Sequence, residues 1–178
     1  MIVDVHTHTP THQNSVPEAE QESFSGWHSG EAVSTTNSWS DYQRGTAGAD
    51  IFIVVNTHVP DMKKSVGLPG KSLETNEGAA AFVSADSNCI GFMSVDPNQI
   101  DWVDEIDNSI GLVLVEIKLG ANYRILFPLG HQALELYAPA QKLSLPINFH
   151  TGASLVREAP LMYSHATVTN EVALRFPE

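Results

Sequence analysis

Five short segments rich in β-branched and other apolar residues recur along the chain, and each is predicted to form a strand. They are IVDVH at 2–6, DIFIVVNTH at 50–58, CIGFMSVDP at 89–97, GLVLVEIKL at 111–119 and LPINFH at 145–150. The first alternates apolar and polar positions, whereas the second is apolar enough to be buried on both faces, as strands of parallel sheets are. The pattern therefore predicts five strands of a parallel sheet.

Stretches that suit helices separate these strands. Helices are predicted at 40–49, 74–85, 100–109, 131–144 and 165–178, the last one capped by Ser164 or Thr167. Strands that alternate with helices in this way are typical of an α/β fold, in which ligands collect at the carboxyl ends of the strands. A polar stretch at about 9–40 is predicted to be a loop or lid.

Composition excludes several classes of function. The 178 residues carry a formal net charge of −12, which repels nucleic acid and anionic membrane surfaces alike. The longest apolar runs are far shorter than the ~20 residues that a membrane span needs. The single cysteine, Cys89, is interpreted as a small buried hydrophobe and fits a reducing compartment. Because no signal peptide is visible, we expect a cytoplasmic location.

Three of the eight histidines stand at the predicted ends of strands one and five. His6 and His8 are two residues apart, so a strand places both imidazoles on the same side. His150 ends the fifth strand, at the same edge of a parallel sheet. Because a catalytic zinc keeps three protein ligands and a water, we predict that these three histidines hold one divalent metal. Zinc is the first candidate, and manganese or iron are alternatives.

The remaining histidines are expected to be ordinary, although His58 ends the second predicted strand and is also a candidate for lining the pocket. They are His12, His28, His58, His131 and His165. His12 and His28 fall in the polar stretch, where solvent exposure is the simpler interpretation. Aromatic residues of the same stretch are candidates for covering a planar substrate or for anchoring the loop, namely Phe24, Trp27 and Trp39.

Substrate-binding residues are expected on the loops at the carboxyl ends of the strands. Lys118 ends the fourth predicted strand and is expected to pair with a substrate carboxylate, or else with Glu116 on the same strand face. The loop GANYR at 120–124 follows directly and is expected to contact the substrate through Asn122, Tyr123 and Arg124.

Two charged residues near other strand ends have alternative interpretations. Arg157 follows the fifth strand, where its guanidinium suits bidentate pairing with a substrate carboxylate, and a solvated surface position is the alternative. Asp96, in the segment VDP, is predicted to be a turn or cap residue rather than an acid catalyst.

The segments DVHTH, GFMSVDP, VEIKLGANY and LPINFHTG…APLMYSHATVTNEVALRFPE together resemble the amidohydrolase-related family of the amidohydrolase superfamily. This group of single-metal TIM barrels includes aminocarboxymuconate-semialdehyde decarboxylase and related hydrolases and decarboxylases. The likeness covers about residues 2–8 and 41–178, and it implies His6, His8 and His150 as metal ligands. In two-metal relatives a strand-four lysine is carbamylated, but the single-metal pattern favours substrate binding for Lys118.

The resemblance also implies a later histidine and a later aspartate that the 178 residues do not contain. A complete barrel needs about 250 residues, so we expect a single domain, 1–178, that is a (β/α)8 TIM barrel truncated after about the fifth β/α unit. The expected activity is that of a metal-dependent hydrolase or decarboxylase acting on a small-molecule substrate, namely a small carboxylate, ester, lactone or amide.

Two other hypotheses stay open on the sequence alone. One is a non-catalytic chain that binds a metal or a partner and needs a second polypeptide, in a homo-oligomer for example, to complete its sheet. The other is a flavodoxin-like five-stranded sheet with incidental histidines. The second is weakened because no glycine-rich phosphate loop follows the first strand.

Overall fold

The computed structural model of the protein describes residues 1–8, 39–55, 76–152 and 160–177. Over these ranges strands and helices alternate from the first element to the last. In chain order they are β1 Val3–Thr7, α1 Trp39–Thr46, β2 Ile51–Val55, α2 Asn76–Val83, β3 Cys89–Ser94, α3 Trp102–Gly111, β4 Leu114–Leu119, α4 His131–Lys142, β5 Ile147–Phe149, a 3-10 helix Leu161–Ser164 and α5 Ala166–Arg175.

The five strands form one parallel sheet in the order β1-β2-β3-β4-β5. Each strand therefore pairs with the strand that comes next in the chain, which is the arrangement of (β/α)8 barrels. A flavodoxin-like sheet has the order 2-1-3-4-5. The strand order confirms the predicted parallel α/β fold and shows that the flavodoxin-like alternative is wrong.

One face of the sheet is apolar and packs against the helices. Val54, Met93, Ile117 and Leu119 are all 0% exposed, and the last three join helix residues in one hydrophobic core. Because successive strand residues point to opposite faces, Lys118, which lies between Ile117 and Leu119, points away from the helices. The second face is thus the one that carries the polar residues of the strand ends.

The start of β4 differs from the prediction. The segment GLV at 111–113 was predicted as strand, but α3 continues to Gly111 and Val113 has a positive φ of 66°. The backbone N–H of Val113 donates to the carbonyl of Ile110, as in the left-handed turn that commonly ends a helix. Residues 111–113 are thus apolar like β4, but they form the end of α3 and the turn that follows it.

The cap of α5 also differs from the prediction. His165 is the N-cap, and its Nδ1 accepts a hydrogen bond from the backbone N–H of Thr167 at 3.3 Å. Ser164 belongs to the preceding 3-10 helix, where its hydroxyl donates to the carbonyl oxygen of Gly152 at 2.7 Å. The predicted caps, Ser164 and Thr167, are therefore wrong, although the helix itself is confirmed.

None of the described helices combines the length with the apolar character that crossing a membrane requires.

Candidate active site

The end of β1 presents two imidazoles to each other. The Nε2 atoms of His6 and His8 are 3.1 Å apart. A register irregularity between Asp4 and Thr7 interrupts the pairing with β2, and bulges of this kind re-aim side chains beside functional sites. Asp4 stabilises this irregular part of β1, because its Oδ1 accepts a hydrogen bond from the backbone N–H of His6 at 3.1 Å. The local backbone thus determines how the two rings meet.

The contact made by Nδ1 of His8 determines which of its two ring nitrogens carries the proton. Nδ1 of His8 lies 3.0 Å from the carbonyl oxygen of Val55, an acceptor only, so Nδ1 carries the proton. Nε2 of His8 then keeps its lone pair, which is the tautomer that a metal ligand needs. Two nitrogens bound to one tetrahedral zinc at ~2.05 Å lie ~3.3 Å apart. The observed Nε2–Nε2 separation fits that donor geometry.

His150 follows β5 and lies on the same side of the sheet. Its backbone N–H donates to the carbonyl of Leu119 at 3.0 Å, which extends the ladder between β4 and β5. Burial lowers the pKa of His6, and the positive charges of Lys118 and His150 lower it further, against the opposing charge of Asp4. The site therefore brings Lys118 and His150 into electrostatic reach of the His6–His8 pair.

The ring of His150 has the hydroxyl of Tyr123 as a close neighbour. That oxygen lies 3.0 Å from Nε2 and 3.1 Å from Nδ1 of His150, and the ring centroids are 4.6 Å apart. In the described parts of the chain, no group of three histidine, cysteine or acidic side chains is close enough to hold a metal ion. The assignment of His6, His8 and His150 as one ligand set thus stays a prediction. Of the three, His6 and His8 lie side by side in the structure.

Lys118 is almost fully buried, with 3% of its surface exposed. Its Nζ donates to Oδ1 of Asn148 at 2.7 Å, across a register in which the two residues are directly paired. Burial lowers the pKa of Lys118 to about 8 and raises that of Glu116. Over the described residues, no ion pair joins these two side chains. The partner of Lys118 is therefore the neutral side chain of Asn148 and not Glu116. No pattern in the sequence had marked Asn148.

The loop after β4 is built to hold Tyr123 in place. A Cβ atom on Gly120 would lie 2.5 Å from Cδ2 of Tyr123, so only glycine lets the ring approach the backbone this closely. Asn122 is 0% exposed, and its Oδ1 accepts the backbone N–H of Tyr123 at 3.0 Å. Nδ2 of Asn122 is buried and has no hydrogen-bond partner among the residues that the structure describes. Asn122 therefore supports the loop from inside, whereas the Tyr123 hydroxyl reaches the site.

Arg124 anchors the same loop to the end of β3. Its Nη1 lies 3.2 Å from Oδ2 of Asp96, and its Nη2 donates to Oγ of Ser94 at 2.5 Å. Asp96 also has the predicted turn role, because its Oδ1 accepts the backbone N–H of Asn98 at 3.1 Å. With 8% of its surface exposed, Arg124 has a structural position, and its expected contact with the substrate stays a prediction.

Several other candidates have surface positions or fall outside the structure's described ranges. His131 lies 3.3 Å from Glu135 on the exposed side of α4, and His165 is the N-cap of α5. Of the remaining predicted site and loop residues, those outside the described ranges are Phe24, Trp27, His12, His28, His58 and Arg157. For Trp39, the structure describes only the backbone, at the start of α1.

Solved structures share this arrangement of strands and helices. An uncharacterized TIM-barrel protein from Bordetella bronchiseptica matches with a TM-score of 0.77 and 14% identity, over 99% of this chain and 63% of that one. The fold is that of a TIM barrel. 2,6-Dihydroxybenzoate decarboxylase from Rhizobium matches with a TM-score of 0.54 and 15% identity, over 98% of this chain and 59% of the decarboxylase.

A structure of 2,6-dihydroxybenzoate decarboxylase complexed with 2,6-dihydroxybenzoate gives the same TM-score of 0.54, with 15% identity over 99% of this chain and 60% of the enzyme. No family model and no curated protein sequence matches the chain. The TIM-barrel chain thus spans about three-fifths of the length of these solved structures.

Proposed function

We propose that this TIM-barrel chain carries the metal-binding part of an amidohydrolase-type active site, in a hydrolase or decarboxylase of a small carboxylate, ester, lactone or amide. The observation that carries the proposal is the 3.1 Å approach of the His6 and His8 Nε2 atoms. The contact of His8 Nδ1 with the Val55 carbonyl oxygen supports it, because a proton on Nδ1 leaves the lone pair of the ring on Nε2. A bound zinc would supply a water of lowered pKa, ~7, and would polarise a substrate oxygen.

The chain's own residues have distinct roles in this proposal. His6 and His8 bind the metal from β1, and His150 is the third ligand from β5. The Tyr123 hydroxyl orients the His150 ring, since it lies within hydrogen-bond distance of both ring nitrogens. Lys118 binds the anionic end of the substrate. The similarity to 2,6-dihydroxybenzoate decarboxylase supports a decarboxylase among the candidate enzymes.

The resemblance to the amidohydrolase-related family implies a further histidine and aspartate that are not among the 178 residues. We therefore test metal binding before turnover. The metal-free protein is titrated with zinc, and binding is measured by calorimetry together with metal analysis after gel filtration. We expect one equivalent of zinc for the wild type and a loss of at least about tenfold in affinity for His8→Ala, because one of three ligands is removed.

The matched control is His131→Ala, which removes an exposed histidine of α4. It should bind zinc as the wild type does. The proposal is wrong if His8→Ala, while still folded by circular dichroism, keeps one equivalent of zinc at unchanged affinity.

A second candidate function is supported by the exposed apolar side of β1. Val3 and Val5 are 40% and 62% exposed, and within the described sheet β1 pairs on one side only, with β2. This favours the alternative of a non-catalytic chain whose sheet is completed by a second copy. Light scattering distinguishes the two: a stable dimer that dissociates on Val5→Lys supports the alternative, and a monomer contradicts it.

A further inference from the structure

Lys118 is a buried cation with a neutral partner. Its amine donates to the amide oxygen of Asn148 at 2.7 Å, and 3% of the residue is exposed. No carboxylate among the described residues lies within ion-pair distance of it. Buried ammonium groups are normally paired with an opposite charge, because losing water without such a partner is costly. Within the described ranges, the arrangement around Lys118 therefore leaves one positive charge uncompensated.

The amine lies in the same region of the sheet as the histidines at the strand ends. The charges of Lys118, His150 and Asp4 all act on His6, Asp4 with the opposite sign. A metal bound there would add a further positive charge, on which the proposed function depends. In a chain whose formal net charge is −12, the buried amine of Lys118 is a local positive charge at the strand ends. Such a region attracts anions and not neutral molecules.

We propose that Asn148 determines the substrate class of this site, by holding Lys118 in place without neutralising it, so that the amine binds a carboxylate anion in preference to an ester, lactone or amide. The inference rests on the proposed function and narrows its substrate range. An aspartate at position 148 would form the ion pair itself and remove the free charge. Asn148 is thus a positioning residue that acts on the substrate through Lys118.

The test compares benzoate with benzamide, two probes of nearly the same shape that differ in charge. Their affinities for the metal-free protein are measured by titration, following the NMR signals of the Asn148 side chain and the bulk of the spectrum. We expect benzoate to bind about ten- to a hundredfold more tightly than benzamide, which is the range for one charge-assisted hydrogen bond. Asn148→Asp should bring this ratio close to one.

Asn108→Asp is the matched control, because it makes the same change of net charge at an exposed position of α3. It should keep the wild-type ratio. Lys118→Met serves as a second variant should Asn148→Asp not fold, and it should also bring the ratio close to one. A merely structural role of Asn148 would weaken both probes equally and leave the ratio unchanged.

The inference is overturned if the wild type does not prefer benzoate, or if a folded Asn148→Asp or Lys118→Met variant keeps the preference. Its failure is distinguishable from failure of the proposed function, because zinc binding is measured separately. Zinc binding without benzoate preference refutes only the role of Asn148. Benzoate preference without zinc binding refutes the metal site and leaves the anion site in place.

Discussion

Substitution of Gly120 by alanine should detach Tyr123 from His150. The new Cβ would lie 2.5 Å from Cδ2 of Tyr123, whereas ordinary contact begins at 3.4 Å, so the ring must retreat by about 0.9 Å. The hydroxyl is farther from the Cα atom than Cδ2 is, and it moves at least as far when the ring tilts. For a displacement directed away from His150, the 3.0 Å contact with Nε2 lengthens to about 3.9 Å, beyond the 3.5 Å limit of a hydrogen bond.

The expected cost of Gly120→Ala is about 1–3 kcal/mol in the free energy of unfolding, as for other overpacked sites. Gly48→Ala is the matched control, because a Cβ at Gly48 would meet nothing within 4 Å. It should be neutral or slightly stabilising. Urea unfolding measures both variants, and the ¹⁵N shifts of His150 report its tautomer.

Tyr123→Phe completes the experiment because it removes the hydroxyl and keeps the ring. If the hydroxyl orients His150, Gly120→Ala and Tyr123→Phe should change the His150 ¹⁵N shifts in the same way, while Gly48→Ala leaves them unchanged. The reasoning would be refuted by a Gly120→Ala variant that is as stable as the wild type and has unaltered His150 shifts.

Two further predictions concern buried charges. Arg124→Met should destabilise the fold by about 2–4 kcal/mol, because it removes the ion pair with the half-buried Asp96 and the hydrogen bond to Ser94. Arg175→Met, at an exposed arginine of α5, should change urea unfolding by less than about 0.5 kcal/mol, and equal effects of the two would contradict the anchoring role. Lys118→Met should stabilise the metal-free chain at pH 7. The pKa of Lys118 falls from 10.5 to about 8 on folding, so the charged amine costs up to about 3 kcal/mol below pH 8. That cost disappears as the pH rises towards 10.5, and urea unfolding of the two proteins should converge there. A constant difference between pH 7 and pH 10.5 would contradict the burial of an unpaired charge.

Local patterns predicted the elements but not their order. The apolar runs at Ile51–Val55 and Leu114–Leu119 are strands because β-branched residues suit the pleated, partly buried surface of a sheet. The same runs would serve a doubly wound sheet equally well, so the expected strand order came from the family resemblance, and the structure confirms it. Sequence patterns are least reliable at the ends of elements, as Val113 shows. Its apolar side chain suits a strand, but its backbone belongs to the turn that ends α3.

Within the site, only neighbours along one strand could be paired from the sequence. His6 and His8 are two residues apart, and strand geometry alone places them on one side. The contacts of Lys118 with Asn148 and of Tyr123 with His150 join residues 30 and 27 positions apart. Such pairs depend on strand order and register, and no single-sequence signal marks them.

The consecutive strand order has a consequence for how the chain acquires its structure. Each strand finds its partner one β/α unit away, so none has to wait for a segment from the far end of the chain. Consecutive pairing keeps these separations smaller than pairing with a distant strand would, and the entropy cost of closing a loop grows with its length. A ribosome that releases this chain unit by unit would thus allow each new strand to join the sheet as soon as it emerges.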